Sequence, residues 1–285
     1  MRAQMNLSCR AEYLLSALSV FRNDFFGGLY ILACANGLGA QVIQSVNKLG
    51  CALAVFNTFE ISVIVWITCL VGVLFILGDR EEIICSCDIA VGAGILLLTI
   101  LPIGALSWLA IATLSLYILL FTNASLSQRN GAIILLATTV PMFWSRLLFK
   151  FFANPILEID ASLVAWLLGT GRAGNVVGFT DGSGALVILS GCSSLTNMSL
   201  AFLCWITISQ SIYHRWSPQD ALWCFLVCVS AVAVNVTRIS LMGLSEWHYD
   251  LIHSQWGDTV GNLIIVVLAV GISLLGVRRD LLCRT

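Results

Sequence analysis

Charge is scarce in this chain: of its 285 residues only 10% are Asp, Glu, Lys or Arg, against 59% that are hydrophobic. Soluble domains carry roughly 25% charged residues, so the composition excludes a water-facing globular protein and defines an integral membrane protein. An excess of either sign is also lacking. The 14 Lys and Arg nearly balance the 15 Asp and Glu, which leaves no basic surface for nucleic acid and no acidic one for a cationic partner. Function must therefore come from local sites.

Cysteine is not lacking, but it is not patterned. Most of the 11 cysteines lie singly in apolar runs, as Cys34, Cys69, Cys204 and Cys228 do, where cysteine behaves as a small hydrophobe. Cys85 with Cys87, and Cys224 with Cys228, come nearest to ligand spacing, yet no histidine or second pair accompanies them. Neither a disulfide framework nor a zinc site is expected. The amino terminus places Arg10 and Glu12 before a short apolar run and Arg22 after it, without a small-residue cleavage site; it reads as a cytoplasmic lead-in to the first span. Repeats, low-complexity tracts and linkers are missing too. We expect one integral membrane domain over residues 1–285, with amino-terminal helices in 1–130 and motif-bearing helices in 131–285.

A spanning helix needs about 20 mostly apolar residues. Eight such runs are present, approximately 25–44, 52–78, 83–101, 103–122, 131–151, 186–212, 219–243 and 256–276, the third and fourth divided at LPIG around Pro102. The fold class expected is an all-α polytopic bundle. Basic residues stay on the cytoplasmic side, so Arg278, Arg279 and Arg284 place the carboxy terminus inside, and eight crossings put the amino terminus there as well. Residues 152–184 then form the one sizeable outer segment. Their stretch LVAWLLG is too short to span and reads as an interfacial lid over the sixth helix.

Ionisable groups inside a span usually face a cavity or a partner, which singles out Arg238 in NVTRI; snorkelling to the interface is the bland alternative. Asn235 is three residues earlier on the same helix face and is expected to orient the guanidinium. Cys192, in GCSSLTN, falls about six residues into the sixth helix, and Arg238 about five from the end of the seventh. At 1.5 Å per residue both sit roughly 8–9 Å below the outer boundary. His248 and His253 follow on the same side, whereas His214 is opposite. A thiol, a fixed cation and an imidazole at one depth make a plausible nucleophile, electrostatic stabiliser and general acid or base. Thr196 and Ser199 share the face of Cys192, as groove lining or as helix-packing glue. Glu60 is an intramembrane carboxylate that either pairs with Arg238 or approaches the interface.

The order GCSS, then NVTRI, then HSQWG resembles the exosortase and archaeosortase family of membrane protein-sorting enzymes, over roughly residues 130–276. That family is marked by a Cys-Ser-Gly motif, an Asn-x-x-Arg motif and a later histidine on about eight spanning helices. The resemblance implies catalytic roles for Cys192, Arg238 and His253, with Asn235, Ser193 and Ser194 in support, and no cofactor or metal. Ser194 stands where the family has glycine, and Gly191 where alanine is common, so the chain resembles a divergent Cys-Ser-Ser variant.

What the resemblance implies is a cysteine protease or transpeptidase (a hydrolase of the cytoplasmic membrane, its site facing outward) that cuts carboxy-terminal sorting signals of membrane-anchored substrate proteins. The acceptor would be water, a lipid or a glycan carrier. The alternative is a non-catalytic membrane component of surface-polymer export that binds an anionic lipid carrier through Arg238. A solute transporter is disfavoured, because paired repeats and matched broken helices are not seen.

Overall fold

The computed structural model describes residues 21–78, 83–101, 103–214 and 217–282, which fall into two compact units divided between Leu136 and Ala137. The expected lead-in over residues 1–20, together with Arg80, Pro102, Arg215 and Arg284, lies outside the described residues.

In the first unit, α1 (Arg22–Leu49) is followed by the short α2 (Cys51–Phe56), α3 (Val63–Leu77), α4 (Ser86–Ile100) and α5 (Gly104–Phe121), and α6 (Leu126–Thr139) carries the chain across the division. Helix α1 packs against α3, α4 and α5. Between α3 and α6 the backbones nearly touch: a Cβ on Gly131 would lie 2.8 Å from the carbonyl oxygen of Gly72, the small-residue contact that lets helices associate in lipid.

The run 52–78, expected as one span, is broken. Thr58, Phe59 and Glu60 take left-handed φ of 51°, 57° and 58°, which L-residues rarely adopt. Local polar groups compete with the helix here. The Thr58 hydroxyl donates to Ile61 O (2.7 Å), the Trp66 indole donates to Thr58 O (3.3 Å), and Ser62 Oγ accepts from Ile64 N (3.3 Å) to cap α3.

The second unit begins in the same long helix. A π segment, Val140–Trp144, contains Pro141, which has no N–H to donate and crowds the preceding turn; widening the helix locally accommodates it. Then come α7 (Ser145–Leu168), β1 (Arg172–Ala173), β2 (Val176–Gly178), β3 (Ala185–Val187), a 3₁₀ turn (Ser190–Cys192), α8 (Ser194–Ser211), α9 (Pro218–Met242), α10 (Glu246–Ile252) and α11 (Gln255–Leu282). Helix α9 is the hub, in contact with α7, α8, α10 and α11.

Among the described residues six helical stretches are long and apolar enough to cross a membrane: α1, α5, 126–168, 190–211, α9 and 256–278. Helices α3 and α4 are apolar but have 15 residues each, short of the ~20 a bilayer requires. The chain is thus a helical membrane bundle.

LVAWLLG ends α7, which kinks at Phe152 three residues before Pro155 and stops at Gly169 in the left-handed conformation. The residues after it form a three-stranded antiparallel sheet in the order β1-β2-β3, with Val177 opposite Leu186. Its inward side chains, Val177 and Leu186, join Ile188 and pack on Ala161 and Val164 of α7 and on Val236, Ile239 and Met242 of α9. That packing carries the chain from the sheet directly into the segment that holds Cys192.

Candidate functional site

Cys192 does not lie inside the α-helix expected from the uncharged run 186–212. It closes the 3₁₀ turn, its N–H donating to Leu189 O (2.9 Å), and α8 starts two residues later with Ser193 as N-cap. Small polar residues explain the boundary. Ser193 Oγ accepts from Leu195 N (3.3 Å), satisfying one of the free donors at the helix start.

The turn is fastened from two helices. Asp160 on α7, 3% exposed, accepts from Ser194 N at 2.9 Å. Asn235 on α9 donates through Nδ2 to Cys192 O (2.7 Å) and to Ser194 Oγ (3.0 Å), while its own Oδ1 accepts from Asn197 of α8 (3.0 Å). Non-helical backbone at membrane depth is tolerated only when its polar groups are met within the protein, and these side chains meet them. Ser194, where the resembled family has glycine, supplies an acceptor that glycine lacks.

Cys192 and His253 line one cavity of about 50 Å³, whose remaining wall is Leu186 to Leu189 from the sheet, Ile239 and Met242 from α9, and Tyr249 from α10. Cys192 is partly buried and His253 exposed. His253 follows the last turn of α10, where its N–H donates to Tyr249 O (2.8 Å) and its ring stacks on Tyr249 with centroids 5.1 Å apart at 18°. Stacking fixes the plane of the imidazole. His248 is instead bonded through Nδ1 to Ser245 Oγ (2.8 Å) and belongs to the cap of α10, and His214 pairs with Asp220 at 2.9 Å.

Arg238 does not border that small cavity. Its partner is neither of those expected. The guanidinium pairs through Nη2 with Asp258 Oδ1 on the first turn of α11, while Nε is buried without a partner. Asn235, turned toward the Cys192 turn, does not orient it, and Glu60 is bonded to Lys48 at 2.7 Å. Arg238 lines a second, larger groove of about 550 Å³ between α9, α10 and α11, otherwise walled mostly by apolar residues such as Leu241, Ile252 and Val260. Ser199 donates to Thr196 O (2.7 Å) and neither residue lines either cavity, in keeping with a packing role.

The arrangement thus combines a thiol on a fastened turn and an imidazole bordering one small cavity with a paired arginine in a separate groove. Three residues were missed in the sequence: Asp258, Asp160 and Tyr249. Asp258 left a signal, since an acid in the first turn of an apolar helix faces the same depth as Arg238. Asp160 and Tyr249 left none beyond proximity to the outer segment. No protein-family model, no curated protein and no solved structure matches the chain.

Proposed function

We propose that the chain is a membrane-embedded cysteine protease or transpeptidase that cuts carboxy-terminal sorting signals of exported, membrane-anchored proteins near the outer face of the cytoplasmic membrane. The observation that supports this most directly is that Cys192 and His253 border the same cavity. Cys192 Sγ gives its proton to His253 and attacks the scissile carbonyl, the C–N bond breaks to leave a thioester, and His253 passes that proton to the departing amine. The imidazole then takes a proton from the acceptor, whether water, a lipid or a glycan carrier, as that group opens the thioester. Arg238, steadied by Asp258, stabilises the negative charge that develops on sulfur and on the carbonyl oxygen. Asn235, Ser193, Ser194 and Asp160 keep the nucleophile's backbone in place.

The test is to express wild type and Cys192→Ala with candidate membrane-anchored substrates encoded in the same genome, following carboxy-terminal processing by intact mass. Loss of processing in the variant supports the thiol mechanism. Unchanged processing sinks it.

A further inference from the structure

Strand β3 has a neighbour on one side only among the described residues, in the order β1-β2-β3. Antiparallel residues alternate between hydrogen-bonded and non-hydrogen-bonded pairs. Phe179 N donates to Gly184 O (3.0 Å) and Ile188 N to Asn175 O (2.9 Å), so the bonded pairs on β3 are Gly184, Leu186 and Ile188. The main-chain N–H and C=O groups of Ala185 and Val187 therefore face the other way, away from β2. Leu189 continues the same edge with its N–H. Side chains along it are exposed: Val187 is 48% and Leu189 61% accessible.

This open edge runs into the small cavity. Four consecutive residues, Leu186 to Leu189, line it together with Cys192 and His253. Consecutive strand side chains point to opposite faces, so a cavity touched by both Leu186 and Val187 lies beside the end of β3 and not over one of its faces. The thiol follows one 3₁₀ turn later. Edge strands are templates for a further strand unless something covers them, and adding an extended peptide to such an edge is a general mode of peptide recognition.

We propose that an extended segment of the substrate pairs with the outer edge of β3, exchanging main-chain hydrogen bonds with Ala185 and Val187, so that the bond following this segment is delivered to Cys192. This rests on the reading of Cys192 as a nucleophile toward peptides. The apolar walls select uncharged residues, and backbone pairing makes recognition tolerant of their identity.

The probe is acetyl-Ala-Val-Ala chloromethyl ketone, which alkylates a thiolate with loss of chloride, compared with its analogue N-methylated at valine and with iodoacetamide, which has no peptide backbone. Rates at Cys192 are read by peptide mapping on the full-length protein in detergent. The peptide reagent should outpace its N-methyl analogue by about tenfold, the scale of one lost hydrogen bond. Val187→Pro, which removes an outward N–H at a position where proline is compatible with an edge, should cancel that advantage. Val187→Ala should retain it, and the iodoacetamide rate measured on each protein is the reference by which its two peptide-reagent rates are divided. Equal rates for the two peptide reagents, or an advantage that survives Val187→Pro, would overturn the proposal. Because the readout is alkylation, the result is separable from processing in Cys192→Ala.

Discussion

The two units use buried polar side chains differently. In the first they join helix to helix: Asp88 of α4 accepts from Arg22 of α1 (2.8 Å) and from Tyr117 of α5 (2.8 Å), Tyr30 and Ser115 lie 2.9 Å apart, and Asn36 donates to Thr99 O (2.8 Å) and Ser107 Oγ (2.9 Å). In the second, Asp160 and Asn235 converge on the non-helical backbone of Cys192 and Ser194. Polar groups that staple helices make a scaffold, whereas polar groups that hold an irregular turn mark a place where the turn itself has work to do.

Breaking the second pattern should have the largest effect. Asn235→Leu strips the Cys192 carbonyl, Ser194 Oγ and Asn197 of a partner and should cost about 4 kcal/mol, from three hydrogen bonds lost at buried or part-buried groups. Thermal unfolding in detergent measures the loss, and alkylation of Cys192 should accelerate as the turn loosens. Asp88→Asn should cost slightly less, about 3 kcal/mol, since it leaves Arg22 (side chain 13% exposed) without its carboxylate. Here the alkylation rate of Cys192 should stay at the wild-type value; a changed rate would mean that the two patterns are not separate.

Smaller changes sharpen the contrast. Asp160→Leu leaves the amide of Ser194 unmet and should lower stability by about 2 kcal/mol, with faster hydrogen exchange at that amide. Ser194→Gly removes one acceptor and one cap-proximal side chain, for a loss of about 1 kcal/mol, and tests whether the serine replaces what glycine does in the resembled family. The smallest effect is local. The hydroxyl and amide of Ser183 donate to Asp181, holding that carboxyl below its usual range. The order this bond lends to the β2–β3 loop is complete above the ordinary carboxylate pKa and is lost as pH falls through the lower folded value. Exchange at the Ser183 amide should rise over that acid range in the wild type and not in Asp181→Asn.

Much of the bundle was legible in the sequence, because uncharged runs have few alternatives to spanning helices. Of the expected convergence of Cys192, Arg238 and His253, the structure brings Cys192 and His253 to one cavity and leaves Arg238 in another. The strands were not legible: two or three residues, as in Arg172–Ala173 and Val176–Gly178, give no periodicity to read, and they exist because Val177 and Leu186 pack on α7 and α9. The position of Cys192 was misjudged for a related reason. Residues 186–212 carry no charge to interrupt the apolar run, while the helix boundary is set by the hydrogen bonding of Ser193 and Asp160. The partner of Arg238 was missed because spacing along α9 favoured Asn235, whereas Asp258 arrives from another helix.

Gly261 contributes no functional group, yet it determines where a charge sits. A methyl placed there would come within 2.9 Å of Arg238 Cδ. The arginine lies across α11 only because that helix is bare at this point. A single-carbon substitution at 261 thus displaces a guanidinium carried by another helix while leaving Cys192, Arg238 and His253 themselves unchanged.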